Sequence, residues 1–358
     1  MGVTFGPVGA TDHRPARETR PLRLDEPEVH TFRTGDGVEL RLTRYNAGSK
    51  GPVILAPGFG TSTKAYTIDT VATNFPEYLA EHGYDIWLLD YRASPELEAS
   101  TLLYSVDEIA TQDWPAAVAK VREVTGAESV QVNAHCVASM SFQMSMLSGL
   151  EGVRSAICSC LGVFPEGPPL NKLKARTHLG GVLNKIGIAR MSTDYHPEQL
   201  DDRIFDIAMR AYPTKERCHN PVCRRIEFLY GDVYDHDNLN DQTHWALHEM
   251  FGRTNITTLN HVGRMLIKNR VVDKYGNDVY LPHAERLAIP VAYIHGEYNN
   301  IFRPEGARRT VEWLSEQNGP EHYKLHMIKD YAHMDCWIGE NAAHDVFPIA
   351  LAELDSHN

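Results

Sequence analysis

The sequence predicts an α/β chain, with a mostly parallel central sheet, helices on both faces and a helical lid insertion. Three observations predict it. Short apolar runs alternate with helical stretches through the first half of the chain and again at its end, the pattern of parallel strands buried on both faces. A block at 165–286 breaks that alternation late and has mostly helical spacing. One apolar run passes directly into a turn of small residues and then a helix, at 134–138.

Each segment has its own signal. Residues 1–25 are polar and hold three prolines; they read as a flexible N-terminal tail. A first part of the core is expected over 26–164. It opens with a hairpin at 30–45 around Asp36-Gly37. A buried strand at 52–56 then feeds Pro57-Gly58-Phe59-Gly60. A helix at 69–82 stops at Gly83, and a strand follows at 85–90. The helix at 107–124 carries Pro115, which predicts a kink or a break near Trp114. Strands at 129–133 and 153–161 flank a helix at 140–150. After the lid insertion, the second part of the core at 287–358 shows strands at 289–294 and 323–328 and helices at 304–317 and 342–354.

Composition narrows the function classes. The 358 residues are 42% hydrophobic and 23% charged, ordinary for a globular protein. A net charge of -12 without a long basic run argues against nucleic acid as a partner. Residues 1–20 lack the apolar segment of a secretory signal, and no run approaches the ~18 apolar residues of a membrane span. The expected location is therefore cytoplasmic.

The sharpest motif is Ala134-x-Cys136-x-Ala138 between a strand and a helix. Small flanks at that spacing let a nucleophile sit on a tight, strained turn with its reactive atom exposed. The helix N-terminus beyond it favours a thiolate. The other five cysteines, Cys158, Cys160, Cys218, Cys223 and Cys336, read as small buried hydrophobes. The base expected for Cys136 is His333, in the loop after the last strand, where hydrolases with this elbow place their histidine. The orienting residue is expected after the preceding strand, at Asn299, with Glu297 as the alternative. Asn299 stands where serine hydrolases place an aspartate. A thiol is more acidic than a hydroxyl, so a Cys⁻/His⁺ pair can form at rest and an asparagine carbonyl suffices to orient the imidazole. The backbone N–H groups of Phe59 and Val137 are the expected oxyanion donors.

Four stretches together resemble a known family: Gly-Pro-Val-Ile-Leu-Ala-Pro-Gly at 51–58, His-Gly-Tyr-Asp-Ile-Trp-Leu-Leu-Asp-Tyr-Arg at 82–92, Ala-His-Cys-Val-Ala at 134–138 and Tyr-Ala-His-Met-Asp-Cys at 331–336. They look like the α/β-hydrolase branch that forms the hydrolase portion of bacterial cholesterol-oxidase-like (GMC oxidoreductase) fusion proteins. The acid lipases are more distant relatives. The resemblance covers roughly residues 30–355. It implies the α/β-hydrolase fold, the nucleophile at Cys136 and the histidine at His333. The absence of a flavin-binding segment departs from the fusion proteins. The elbow is also similar to that of polyhydroxyalkanoate synthases.

The expected function is acyl hydrolysis or acyl transfer through a Cys136-bound acyl-enzyme, with no cofactor and no metal. Phe164, Leu170, Leu173, Met191, Phe205, Met209, Trp245, Met250, Phe251 and Met265 suggest that the partner is an apolar small-molecule ester, thioester or lactone, though each also fits a lid core. A homodimer stays open. The rivals are a hydroxyacyl-CoA polymerase-type acyltransferase and a non-catalytic binding protein of the same fold. His244 and His248 have the spacing of a zinc pair on one helix face but no third ligand in the motif. The acidic cluster of Asp232, Asp235, His236, Asp237 and Asp241 lacks calcium-loop spacing. Both read as solvated surface, and Asp90 and Arg92 read as structural or as lining the site entrance.

Overall fold

A computed structural model describes residues 17, 19–168, 190–196, 198–210 and 219–358. Most of the expected tail, together with Leu170, Leu173, Cys218 and the Met209 side chain, lies outside the described residues. The strands are β1 (Glu28–Arg33), β2 (Glu39–Asn46), β3 (Lys50–Ala56), β4 (Tyr84–Asp90), β5 (Val130–His135), β6 (Val153–Ser159), β7 (Arg190–Ser192), β8 (Arg253–Asn255), β9 (Val291–Gly296) and β10 (Tyr323–Ile328). Eight of them form one sheet in the order β1-β2-β4-β3-β5-β6-β9-β10. The β1–β2 and β2–β4 pairs are antiparallel and the rest are parallel. This is the α/β-hydrolase fold.

The central strands β4, β5 and β9 are buried along their whole length, because helices cover both faces of a parallel sheet. The helices used below are α1 (Phe75–Glu81), α2 (Trp114–Thr125), α3 (Val137–Leu147), α4 (Leu200–Arg210), α5 (Pro221–Tyr230), α6 (Asp241–Trp245), α7 (Ile256–Lys268), α8 (Pro304–Asn318) and α9 (Phe347–Asp355). Trp87, Trp114, Phe75, Phe142 and Phe347 are among the largest side chains wholly removed from solvent, each contributing roughly 1.5–3 kcal/mol or more by burial.

Two helices depart instructively from their expected form. α1 begins at Phe75, not near Asp69, because Asn74 caps it in a reciprocal box with Glu77 and Pro76 suits the first turn. Glu77 has no exposed surface, and Arg20 grips its carboxylate at 2.6 and 2.7 Å. The helix through Pro115 does not break. A wide turn over Ile109–Asp113, in which Trp114 N–H reaches back to the Ile109 carbonyl, absorbs the proline. The buried Asp113 of that turn holds the buried Arg92 at 2.7 Å, and Arg92 also grips Asp36. Asp90 binds Thr63, Ser94 and Arg41. Both residues brace loops.

Between β6 and β9 the described chain is largely helical, with one exception. β7 and β8 pair as a two-stranded ribbon that sequence spacing missed; three-residue strands are too short to show a period.

Candidate active site

β5 ends at His135, Cys136 follows with φ 58° and ψ −125°, and α3 starts at Val137. A positive φ is costly for any residue with a side chain. Ala134 and Ala138 on either side are fully buried, which is why no larger side chain fits two positions away. The loop after β3 closes over the elbow. A Cβ on Gly58 would stand 3.3 Å from Cys136 Cβ, and one on Gly60, where φ is 73°, would collide with the Tyr230 hydroxyl at 2.1 Å. Thr61 ties the loop by donating to the Gly58 carbonyl at 2.8 Å.

The backbone N–H groups of Phe59 and Val137 both address the Cys136 sulfur. Burial pushes the thiol up to about 12, and those two amides pull against it. Desolvation thus outweighs the pull of the helix N-terminus, contrary to the expectation of a resting thiolate.

Cys136 and His333 line one cavity of about 600 Å³. Its walls are mostly apolar, with Phe59, Met191, Phe251, Leu259, Leu266 and Ile301 among them. Of the other apolar residues expected to face substrate, Met250 and Met265 are buried away from the cavity, and Trp245 is 59% exposed. Tyr230, beside Gly60, also lines the cavity. Its burial raises its hydroxyl pKa, and the nearby Cys136 adds to the rise. No sequence signal marks Tyr230, since it reaches the site by tertiary packing of α5.

His333 is buried, and its Nδ1 lies 2.9 Å from Nδ2 of Asn299. Glu297 is exposed, whereas Asn299 and His333 are buried. The Asn299 carbonyl oxygen accepts the backbone N–H groups of Ile301 and Phe302, each at 3.1 Å. Those two donors fix the amide, so its nitrogen, not its carbonyl, meets the imidazole. This corrects the premise of a carbonyl behind the base. Nδ1 must accept, which puts the imidazole proton on Nε2. Burial, then the adjacent His135 ring at 4.5 Å, lower His333 to about 4. The imidazole is neutral at rest, and a standing Cys⁻/His⁺ pair is disfavoured from both sides.

Cys160 is not the inert hydrophobe that its sequence context suggests. It follows β6 with φ 64°. Its thiol donates to the His333 carbonyl at 3.5 Å and lies against Cys336, His135 and the His333 side chain. The Cys336 thiol donates to the Ala332 carbonyl at 4.0 Å, and the neighbouring Cys160 raises its pKa. Asp335, also buried, accepts the Ala332 N–H and the Asn238 side chain. Burial lifts its carboxyl to about 6. It secures the His333 loop.

No protein-family model matches the chain. Lipase 1 of Drosophila melanogaster is 29% identical over 126 residues, which is 33% of this chain and 29% of that protein's length. Among solved structures, DcsB in complex with a substrate analogue superposes with a TM-score of 0.60 at 16% identity, over 93% of this chain and 100% of that one. The Pyrococcus furiosus esterase Pf2001 gives 0.54 at 13% identity over 96% and 99%. The Paleococcus ferrophilus monoacylglycerol lipase gives 0.53 at 16% over 90% and 100%. At these identities the likeness establishes the fold.

Proposed function

We propose that the protein is an acyl hydrolase or acyltransferase for an apolar ester, thioester or lactone, acting through a thioester on Cys136. One observation carries the reading: a sulfur held at a strained elbow, faced by two backbone amides, on the wall of an apolar cavity. In the reaction the sulfur–carbonyl bond forms while Phe59 and Val137 N–H groups hold the oxyanion. The bond to the leaving group breaks, and that group takes the thiol proton by way of His333. Water or another acceptor then attacks the thioester and restores the thiol. Esterases and a lipase among the superposed structures agree with acyl chemistry. In this reading the 165–286 block is the lid that shapes the acyl pocket, and the GMC-fusion hydrolase branch is the kinship.

His333 must present a bare Nε2 to accept the proton. That requires its other tautomer, with the Asn299 amide rotated so that its oxygen meets Nδ1–H. Rotation breaks the bonds from Ile301 and Phe302, each contributing on the order of 1 kcal/mol. The same observation favours a second reading, in which the fold keeps its pocket as a non-catalytic binding protein.

Intact mass after incubation with an activated acyl ester separates the two. The expected result is one acyl adduct, lost in Cys136→Ala. An adduct that survives that substitution removes Cys136 from the chemistry. Saturable binding of the ester with no adduct and no turnover establishes the binding protein.

A further inference from the structure

We infer that Cys223, His236 and His244 form a binding site for a divalent transition-metal ion, zinc being the favoured one. Their sulfur and ring-nitrogen ligand atoms all lie within 4.8 Å of one another. Cys223 Sγ is 3.3 Å from His236 Nε2, and the His236 and His244 rings are 4.9 Å apart between centroids. Tetrahedral zinc, with Zn–S of about 2.3 Å and Zn–N of about 2.0–2.1 Å, separates its ligand atoms by roughly 3.3–3.6 Å. The first pair already meets that spacing, and the third ligand needs only a small side-chain adjustment.

The surroundings suit a thiolate ligand. Cys223 is the third residue of α5, whose N-cap Asn220 accepts from the Val222 and Cys223 amides, so the sulfur sits in the first turn, where the helix dipole stabilises negative charge. The Tyr234 hydroxyl donates to Cys223 Sγ at 3.1 Å, the kind of outer hydrogen bond that orients a metal ligand. The Asn220 side chain also donates to the His244 carbonyl at 3.1 Å and joins α5 to α6. One thiolate and two imidazoles, without a carboxylate, select zinc or cobalt over magnesium or calcium. Binding expels the thiol proton to solvent and leaves a fourth position for water.

The pairing differs from the one sequence spacing suggests. His248 does not join His244; its Nδ1 meets the Trp245 carbonyl at 2.7 Å. The three ligands come from α5, the turn at His236–Asn238 and α6, which sequence separation conceals. A metal here would cross-link the segment that supplies Tyr230 and Val233 to the cavity. The site stands independently of the acyl-enzyme reading.

The test uses the full chain, stripped with a chelator and titrated with cobalt(II) under a non-thiol reductant. The expected result is one cobalt per chain, with a thiolate-to-cobalt charge-transfer band and intense tetrahedral d–d bands. Cys223→Ser abolishes the charge-transfer band. His236→Gln and His244→Gln each weaken affinity at least about tenfold. Cys136→Ala leaves the spectrum unchanged. Zinc raises the melting temperature of the parent chain and not that of His236→Gln. Absence of the charge-transfer band, or its survival in Cys223→Ser, overturns the site, as does an undiminished affinity in both histidine variants.

Discussion

The amide nitrogen of Asn299 faces Nδ1 of His333 at 2.9 Å, while its oxygen is engaged by two backbone N–H groups. The residue therefore holds the imidazole in the tautomer that donates from Nε2. A carboxylate in the same place would do the opposite, since one oxygen can keep the Ile301 and Phe302 amides while the other accepts Nδ1–H. Asn299→Asp is expected to raise the His333 pKa and to speed alkylation of Cys136 by iodoacetamide at pH 7 about tenfold or more. Peptide mass spectrometry over a time course reads this at residue 136. An unchanged rate would show that Asn299 does not govern the base.

A hydroxyl is a weaker acid than a thiol and depends more on the base behind it. Cys136→Ser is accordingly expected to lose acyl-ester turnover by about a hundredfold or more. Cys136→Ser with Asn299→Asp should recover part of that loss, because the pair then has the serine–histidine–carboxylate arrangement. Equal turnover in the single and double variants would contradict the coupling.

His333 also sets a pH dependence of stability. Its folded pKa is lowered, to about 4, from an unfolded value near 6.5. Between those values the unfolded chain binds more protons, so its contribution is present above pH ~6.5 and is lost as pH falls toward 4. The loss is on the order of 3 kcal/mol. Denaturant melts of the parent chain and His333→Gln should converge or cross over this window. Parallel curves would mean that the imidazole stays as accessible to protons as in the unfolded chain.

Gly60 is predicted to tolerate no side chain. Gly60→Ala combines a positive φ with a clash against Tyr230, and should destabilise by roughly 1–3 kcal/mol. Adding Tyr230→Phe removes the hydroxyl that the new methyl meets and should recover part of the loss in urea melts. If Gly60→Ala alone is neutral, the loop does not hold the geometry described.

Much of this molecule could be read in its sequence, because the deciding features are local. Strands such as β4 and β9 are continuous apolar runs, and the elbow needs only Ala134, Cys136 and Ala138 in order between a strand and a helix. The loops carrying Asn299 and His333 follow from their position after β9 and β10. What escaped depends on contacts between distant segments. The orientation of the Asn299 amide is set by backbone donors two and three residues on, not by its identity. Cys160 meets His333 across 173 residues of chain, and Tyr230 reaches Gly60 from a helix that no motif marks. The Cys223–His236–His244 cluster is assembled by the packing of three short elements, so regular helical spacing pointed instead to His248.

The segment after α5 is sewn to the loop that bears the imidazole. Met334 N–H donates to the Val233 carbonyl at 2.7 Å, and the Asn238 side chain bridges the Asp330 carbonyl and the Asp335 carboxylate at 2.8 and 2.7 Å. Outward travel of this stretch must either tear those links or carry residue 333 along with it. Displacing Val233 with the ring left in place thus costs these hydrogen bonds, each on the order of 1 kcal/mol, and displacing it with them intact moves the ring as well.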